Sequence, residues 1–282
     1  MNTVEQVMTH KPIVAHIPGS RNEVLKLMVK YNLTGVPVVK RGEDILAGLI
    51  TRNHIFEHPE EDQLALIMDR NPLTLSPSDS IEHAARMMIE NRADHVPVIN
   101  DDRRVIGILT PTDLLNEVEK KASRMTVEEA ALSPCVPIYQ EAPLRVAFTT
   151  FKVSGVNALP VLDSNGRLIG ILTDRDIFNK SLINGSMALT ALGIGGDEDE
   201  WTWEGLRNVM KLWFEVSKIE MPAVPVRDIM VRSPTTVFRK TSVSEAARTM
   251  RRNDFGQLPV VDSKDNLVAM LYDMNVISIL AK

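Results

Sequence analysis

The sequence has little of several residue types, and each shortage excludes a class of protein. Among its 282 residues the one cysteine is Cys135, which excludes an internal disulfide and a zinc site built from several cysteines. The longest stretch without a charged residue, 181–196, is too short and too rich in glycine to span a bilayer. The first residues lack a basic region followed by an apolar core, so no secretory signal is predicted. We therefore expect a cytoplasmic protein with no membrane partner.

An excess of positive charge is also missing. The chain carries 32 Lys and Arg against 37 Asp and Glu, a net charge of −5, so no overall field draws it toward nucleic acid. Hydrophobic residues make up 44% of the chain, which is enough to bury a core. The composition therefore predicts a folded chain of roughly two domains, at about 150 residues per domain, without a nucleic-acid partner.

The most informative feature of the sequence is an internal repeat of four units. Each unit contains a short apolar strand pattern built around a proline, at Pro37, Pro97, Pro160 and Pro259. A second apolar strand pattern begins ten or eleven residues after each proline, and in the first three units it ends with a threonine. Several landmarks at fixed offsets, repeated four times, predict four copies of one supersecondary unit.

A helix with one apolar face is predicted before each proline strand. In the second unit the apolar residues recur at i, i+3, i+4 and i+7 from Ile81, which is the period of one buried helical face. The same spacing starts at Val243 and at Leu144, whereas the first unit begins with Arg21. Asp79 and Thr241 are predicted to cap two of these helices, because a short side-chain oxygen accepts an unpaired backbone N–H.

These features resemble the CBS (cystathionine-β-synthase) domain. Its marks are a helix leading into h-P-V-h, where h is apolar, and then G-h-h-[ST]-x-x-D-h at the start of the last helix. The resemblance implies an α+β/α-β fold of four βαββα repeats, paired into two pseudo-twofold Bateman modules that pack as a disc. Repeat 1 would pair with repeat 2, and repeat 3 with repeat 4. The predicted repeats cover residues 8–56, 68–118, 125–180 and 226–280.

An insert separates the third and fourth repeats, at residues 181–225. It contains a glycine-rich stretch, a run of four acidic residues at 197–200, and all three tryptophans, Trp201, Trp203 and Trp213. The glycines are interpreted as a linker and not as a phosphate loop, because neither a strand nor a lysine frames them. The tryptophan-rich part is predicted to be a helix that packs on its own modules, with a protein partner or a dimer surface as the alternative.

The best chemical signal is T-x-x-D at the start of the last helix, in Thr110 to Asp113 and Thr173 to Asp176. A carboxylate there can accept two hydrogen bonds from a ribose diol, while the threonine hydroxyl and free helix N–H groups can hold a polar tail. Simple capping of the helix is the alternative interpretation. The CBS resemblance implies the ribose-binding role, and with it a non-catalytic protein that binds an adenosyl compound.

The resemblance also implies that each aspartate faces the first strand of the partner repeat, which gives one cleft per module. Repeats 1 and 4 have His54 and Asn275 in the aspartate position, and neither side chain can accept two hydroxyl protons as a carboxylate does. The ligand-binding residues predicted for the first cleft are Lys11, Pro12, Ile13, Val14, Thr34, Gly35, Ile108, Thr110 and Asp113. Those predicted for the second cleft are Ile171, Thr173, Asp176, Ser233, Pro234, Thr235, Thr236, Gly256 and Gln257.

The CBS resemblance makes the residue pairs before the four proline strands an indicator of the ligand's charge, because in relatives that sense adenylates basic residues there often hold phosphates. These pairs, at 34–35, 94–95, 157–158 and 256–257, contain no lysine or arginine, so the tail of ATP would be poorly matched. Lys11, Arg92 or Arg175 could still supply positive charge. The pattern favours S-adenosylmethionine, methylthioadenosine, AMP or another adenine nucleotide as the bound effector, with no catalytic cofactor. The alternative is a regulatory or scaffolding subunit that acts through protein–protein contacts with empty clefts.

Neither catalysis nor metal binding is predicted. His54 and His58 have the i, i+4 spacing of a helical metal-binding pair, but Pro59 ends that helix and no third ligand is near in sequence. Cys135 has no neighbouring base that would activate it as a nucleophile. A nucleophile elbow is likewise missing from the sequence, so an enzyme is not expected.

Overall fold

The structure is a computed structural model that describes residues 2–58, 61–122, 124–130, 132–177 and 223–281. The predicted glycine-rich linker and tryptophan-rich helix of the insert lie outside the described residues, apart from 223–225 at its end. In the described ranges the chain forms four small units, each with its own sheet. The four units have the order that the sequence repeat predicts.

The helices and strands of the first module are as follows. Repeat 1 contains α1 (Val4–Val7), β1 (Thr9–His10), β2 (Ala15–Ile17), α2 (Arg21–Lys30), β3 (Gly35–Lys40), β4 (Leu46–Thr51) and α3 (Arg52–Glu57). Repeat 2 contains α4 (Leu64–Ile67), α5 (Ile81–Asn91), β5 (Val96–Ile99), β6 (Val105–Leu109) and α6 (Pro111–Lys121).

The second module follows the same plan. Repeat 3 contains β7 (Ile138–Tyr139), α7 (Leu144–Ser154), β8 (Ala158–Leu162), β9 (Leu168–Thr173) and helical residues at 174–177. Repeat 4 contains a short 3-10 helix (Val226–Asp228), β10 (Val231–Arg232), β11 (Val237–Phe238), α8 (Val243–Asn253), β12 (Gln257–Val261), β13 (Leu267–Tyr272) and α9 (Asp273–Ile277).

A proline hairpin forms the centre of every repeat. In each hairpin the proline strand pairs antiparallel with the next strand, in one register that recurs four times. The prolines lie opposite Leu49, Ile108, Ile171 and Met270. The pairing register also shifts at the same place in all four hairpins, between the first and second residues after the proline. The sequence repeat is therefore a structural repeat.

Exchanged strands join the repeats into pairs. The β1 strand leaves its own repeat and pairs antiparallel with β6 of repeat 2, while Asp69 forms a bridge to Leu49 of repeat 1. In the second half, β10 of repeat 4 pairs with β9 of repeat 3, and Ser133 forms a bridge to Met270 of repeat 4. Repeats 1 and 2 thus form one module and repeats 3 and 4 the other, as predicted.

Backbone hydrogen bonds at the helix starts reinforce this pairing. The first N–H groups of a helix have no partner within the helix, so another part of the chain must satisfy them. Here the segment that leads into one repeat accepts the first N–H of the helix in its partner repeat. The four bonds run from Arg21 to Asp62, Ile81 to Asn2, Leu144 to Val224 and Val243 to Met125, at 2.7–3.3 Å.

The predicted helical faces are buried. In α5 the residues Ile81 and Met88, with the two alanines between them, are at most 2% exposed, and the matching face of α8 is fully buried. The prediction that Asp79 and Thr241 cap these helices is wrong by one residue. Ser80 and Ser242 are the N-caps, accepting from the N–H groups three residues ahead, because the preceding residues are used in turns instead.

The two modules pack side by side, and their cores merge. One core combines residues of repeats 1 and 3, and the other combines residues of repeats 2 and 4. In the latter, α6 lies against α8 and α9. Because strand exchange links 1 to 2 and 3 to 4, the four repeats close a ring, which is the disc that the CBS resemblance implies. The centre of this ring is the site described next.

Candidate functional site

The two T-x-x-D motifs form matching capping boxes. In repeat 2 the Oδ2 atom of Asp113 accepts the Thr110 N–H at 2.7 Å and the Thr110 hydroxyl at 2.8 Å. In repeat 3 the Oδ2 atom of Asp176 accepts the Thr173 N–H at 2.8 Å and its hydroxyl at 2.7 Å. The capping interpretation is thus confirmed for one oxygen of each carboxylate. These bonds fix both carboxyl groups at a helix start, where they line a cavity.

The other two repeats keep the cap and lack the carboxylate. His54 accepts the Thr51 N–H at 3.2 Å through Nδ1. Asn275 accepts the Tyr272 N–H at 2.9 Å through Oδ1, and the Ser133 hydroxyl at 3.2 Å through the same atom. Burial lowers the pKa of His54, which favours its neutral form. An imidazole nitrogen in repeat 1 and an amide oxygen in repeat 4 therefore accept the backbone N–H that the aspartate accepts in repeats 2 and 3, but neither brings a negative charge.

A single cavity of about 1320 Å³ lies where the four repeats meet. The sequence predicted two separate clefts, whereas the structure joins them, because both aspartates line this one space. The predicted residues that line it are Thr34, Gly35, Ile108, Thr110, Asp113, Ile171, Thr173, Asp176, Ser233, Pro234, Thr235, Gly256 and Gln257. The predicted residues outside its lining are Lys11, Pro12, Ile13, Val14 and Thr236.

The first cleft has an imidazole at the centre of its module. The imidazole of His95 spans the module, with Nε2 2.6 Å from the Thr34 hydroxyl and Nδ1 2.9 Å from the Asp94 carboxylate. A Cβ at Gly35 would lie 2.6 Å from this ring, so the glycine is what allows the ring to lie there. The Thr34, Asp94 and His95 side chains line the same cavity as Asp113.

The second cleft has no such imidazole. Its residues that correspond to Thr34 and Gly35 are Gly256 and Gln257, and those that correspond to Asp94 and His95 are Asn157 and Ala158. Residues 233–235 line the cavity here, and the Ser233 N–H donates to the Ile169 carbonyl at 3.2 Å. Lys11 has the same left-handed backbone as Ser233 and donates its N–H to Ile106 in the same way. The two clefts therefore share a backbone and differ in the side chains at their centres.

Positive charge is present at the junction of the modules. Arg92 and Arg175, which the sequence offered as possible sources of positive charge, line the cavity together with Arg52, which sequence reasoning missed. The pairs before the proline strands do lack basic residues, because the arginines occupy other positions of the repeat. Arg92 is the C-cap of α5, and Arg52 follows Thr51, the N-cap of α3 in repeat 1.

Acidic residues accompany these arginines. Arg175 pairs with Asp254 at 3.1 Å. Burial lowers the pKa of Arg52 to about 10, and the neighbouring Asp174 opposes that shift. Burial also raises the pKa of Asp174, and raises that of Asp273 to about 7, where Asp94 adds to the shift. Arg52, Asp174 and Asp273 occupy the same position of the repeat, directly after the Thr or Tyr that ends the second hairpin strand. An alignment of the four repeats at that residue would have identified them as charged candidates.

The remaining candidates from the sequence lie away from catalytic geometry. Burial raises the pKa of the Cys135 thiol, which keeps it protonated. In the described part of the chain, no group of three or more His, Cys, Asp or Glu side chains is arranged to hold a metal ion. Of the helices in that part, none has the length and apolar character needed to cross a membrane.

Comparisons with known proteins agree with the repeat. The family model of the CBS domain matches residues 4–61, 63–120, 127–182 and 226–282. Over 300 aligned residues the chain is 24% identical to the uncharacterized protein MJ1225 of Methanocaldococcus jannaschii, covering 99% of both chains. The solved structure of MJ1225 matches at a TM-score of 0.79 and 21% identity, covering 99% of this chain and 100% of that one, which shows a common fold.

Partial relatives include an enzyme and a ligand-bound domain pair. A homoserine O-acetyltransferase of Methanosarcina acetivorans is 32% identical over 111 residues, which are 39% of this chain and 20% of that enzyme. The chain thus spans about a fifth of that relative's length. The CBS domain pair of protein MJ0100, solved in complex with 5′-methylthioadenosine and S-adenosyl-L-methionine, is 30% identical across 43% of this chain and 98% of that pair, with a TM-score of 0.41.

Proposed function

Because this chain belongs to the CBS domain family, we propose that it is a non-catalytic regulatory protein that binds an adenosyl compound in its central cavity. The candidate ligands are S-adenosylmethionine, methylthioadenosine, AMP and other adenine nucleotides. The observation that carries the proposal is the second cleft, where Thr173 and Asp176 line the cavity together with residues 233–235. We take the repeats to be 8–56, 68–118, 125–180 and 226–280, with 181–225 as an insert, and the location to be cytoplasmic.

Ribose recognition would fall to Asp176. Its Oδ2 atom is held by two bonds from Thr173, so the carboxylate is oriented before a ligand arrives. A carboxylate is an acceptor without protons of its own, which suits the two hydroxyl protons of a ribose diol. Hydrogen bonds to a charged group contribute about 1.5–3 kcal/mol each, so this residue would carry much of the affinity.

The adenine would lie among apolar side chains. Ile171, Val231 and Pro234 line this part of the cavity, together with the ring of Tyr272. Burial raises the pKa of Tyr272 to about 12, so its phenol stays neutral and adds no charge beside the base. A cavity lined by apolar groups with a few fixed polar groups is the usual form of a small-molecule site.

The tail of the ligand would meet the charges at the module junction. Arg52, Arg92 and Arg175 offer positive charge for a phosphate, and the nearby carboxylates offer acceptors for the amino group of a methionyl tail. AMP and S-adenosylmethionine are therefore both compatible with this cavity. Because it is lined by all four repeats, a ligand that prefers one arrangement of the modules would shift the protein toward that arrangement.

The test is calorimetric titration of the full chain with S-adenosylmethionine, methylthioadenosine and AMP. The matched variant is Asp176→Asn, because an asparagine keeps the same cap in repeat 4, where Asn275 accepts the Tyr272 N–H at 2.9 Å. We expect micromolar binding of at least one compound and its loss in Asp176→Asn, with unchanged thermal unfolding of the free protein. Asp163→Asn, in an exposed turn, is the control.

The opposite outcome would favour the subunit alternative. Two results together would show that the cavity does not bind an adenosyl compound: none of the three compounds binds, and mass spectrometry finds no adenosyl compound in the purified protein. The chain would then act as a regulatory or scaffolding subunit through protein–protein contacts. Pull-down from cell extract with the full chain would identify its partner.

A further inference from the structure

The outward face of α7 differs from the same face in every other repeat. The proline-hairpin helices α2, α5, α7 and α8 have one burial pattern, in which the third, sixth and tenth residues are exposed. In α2, α5 and α8 these nine positions hold charged residues or histidine: Glu23, Lys26, Lys30, His83, Arg86, Glu90, Glu245, Arg248 and Arg252. In α7 they hold Val146, Thr149 and Val153.

This face is an apolar groove. Val153 is 83% exposed and Val146 is 49% exposed, and a depression of about 570 Å³ runs between them. Its lining consists of Val136, Arg145, Val146, Thr149, Thr150, Val153 and Ser154. An exposed valine side chain forms no hydrogen bonds with water, and the equivalent helices of the other three repeats have polar residues at these positions. A contiguous apolar patch on one of four equivalent faces marks a contact surface.

The chain itself supplies the partner. We infer that the outward face of α7 is a docking surface for residues 201–214 of the same chain, which lie outside the described residues. That stretch contains Trp201, Trp203, Leu206, Met210, Trp213 and Phe214, whereas the rest of the chain has no tryptophan. The inference does not depend on the proposed ligand, because the groove lies outside the lining of the central cavity.

The place where the described chain resumes supports this partner. Val224 accepts the Leu144 N–H at 2.9 Å, and Val226 donates to the Ala142 carbonyl at 2.9 Å, so the insert ends beside the first turn of α7. Nine residues separate Phe214 from Val224 and can span at most roughly 30 Å. The 11 residues of α7 extend over roughly 16 Å, so the whole helix is within reach.

Charge adds a second argument. The groove is bordered by Arg145, and Lys152 is exposed on the same helix. The run Asp197–Glu200 immediately precedes the tryptophan-rich stretch. A short tether gives an effective concentration in the millimolar range, so even a modest apolar contact would be formed most of the time. The acidic run and the two basic side chains would then favour one orientation.

Tryptophan fluorescence tests the inference, because all three tryptophans are in this stretch. The variants are Val153→Lys and Val146→Glu, which introduce the residues found at these positions in repeats 1 and 4. We expect a red shift of tryptophan emission and about a twofold rise in iodide quenching. The control is Val29→Lys on α2, where the valine is 47% exposed, and it should leave both signals unchanged.

A contact measurement keeps the test decisive if a variant loses stability. In a Cys135→Ser background, a bimane label on Val153→Cys would be quenched by a touching tryptophan, and Trp203→Phe with Trp213→Phe would relieve the quenching. If the variants and the label report no contact while circular dichroism stays native, the inference is wrong. If the quenching depends on protein concentration and the mass doubles, a second copy covers the face, which also overturns it.

Discussion

The two modules share a backbone and differ at their centres. Lys11 and Ser233 have the same left-handed conformation, and the N–H of each donates to the corresponding strand of its partner repeat. In the first module, however, His95 bridges Thr34 and Asp94 beside the aspartate. In the second module the positions that correspond to Asp94 and His95 hold Asn157 and Ala158, so no imidazole bridges its centre. A repeated fold thus supplies two equivalent clefts that differ in the side chains at their centres.

The comparison extends to charge. The second module pairs Arg175 with Asp254, and the equivalent residues of the first module are Asn53 and Arg92, which cannot form an ion pair. Between the modules, Arg52 faces Asp174, and Asp273 faces Asp94 and His95. The junction is therefore polar, and its charges are not arranged symmetrically between the two modules. The variants below separate the contributions of the two clefts.

The largest effect is expected at the second carboxylate. Asp176→Asn should weaken adenosyl-ligand binding by about 10- to 100-fold, since it removes charge-assisted bonds of about 1.5–3 kcal/mol while keeping the cap. Asp113→Asn should change affinity by less than about threefold, because the bridge from His95 to Thr34 lies at the centre of its cleft. Calorimetry on the two variants measures the difference. Equal losses would contradict the comparison and make both clefts working sites.

Asp273 should make stability depend on pH. Its folded-state pKa is about 7, raised above 3.8 chiefly by burial, so ionisation is less favourable in the folded protein than in the unfolded chain. The favourable contribution is complete below about pH 4 and is lost as the pH rises through 7. Asp273→Asn should therefore stabilise the protein by about 1–3 kcal/mol near pH 8 and have little effect near pH 4.

Urea unfolding across this pH range is the measurement, and Asp174→Asn is the matched variant. Asp174 occupies the equivalent position in repeat 3, where Arg52 offsets part of the cost of its charge. The pH dependence of its effect should therefore be weaker. A stabilisation by Asp273→Asn that does not vary with pH would show that the pKa of this carboxyl group is the same in the folded and unfolded protein, and that burial does not perturb it.

Most of the fold could be predicted from the sequence, because each element of the repeat has a recognisable pattern of neighbouring residues. The proline strands, the apolar helical faces and the T-x-x-D starts are each encoded within about ten residues. The N-caps were placed one residue early at Asp79 and Thr241, since Ser80 and Ser242 follow directly and local spacing does not separate them. Capping residues compete for the same N–H groups, and turn geometry decides between them.

The site was harder to predict because it depends on how the modules pack. Local patterns identified Asp113 and Asp176, but the merger of two clefts into one cavity is a property of the closed ring. Arg92 and Arg175 were possible sources of charge from the sequence alone, but that they line one cavity with Arg52 depends on how three repeats pack. Likewise, the contact between His95 and Thr34 joins residues 61 positions apart. Such pairings are set by tertiary packing and not by sequence spacing.

Exchanging the central side chains should exchange the behaviour of the clefts. His95→Gln introduces the residue of repeat 4 and removes the bridge to Thr34 and Asp94, so the first cleft should gain affinity by about fivefold. The gain in affinity is measured most clearly in an Asp176→Asn background, where ligand binding at the second cleft is weakened. A second variant, Gln257→His, places an imidazole in the lining of the second cleft and should weaken binding there. If neither exchange alters binding, His95 does not control access.

The smallest effect is expected at the ion pair of the second module. Arg175→Asn introduces the residue of repeat 1 and removes the 3.1 Å contact with Asp254, whose side chain is 63% exposed. An exposed pair of this kind contributes about 0–1 kcal/mol and is screened by salt. We therefore expect a loss of less than about 1 kcal/mol in urea unfolding at low ionic strength, vanishing near 1 M salt. A larger loss that persists in salt would mean that Arg175 supports the packing of the second module and is not simply a surface charge. That result would extend the difference between the modules from the ligand site to the stability of the ring.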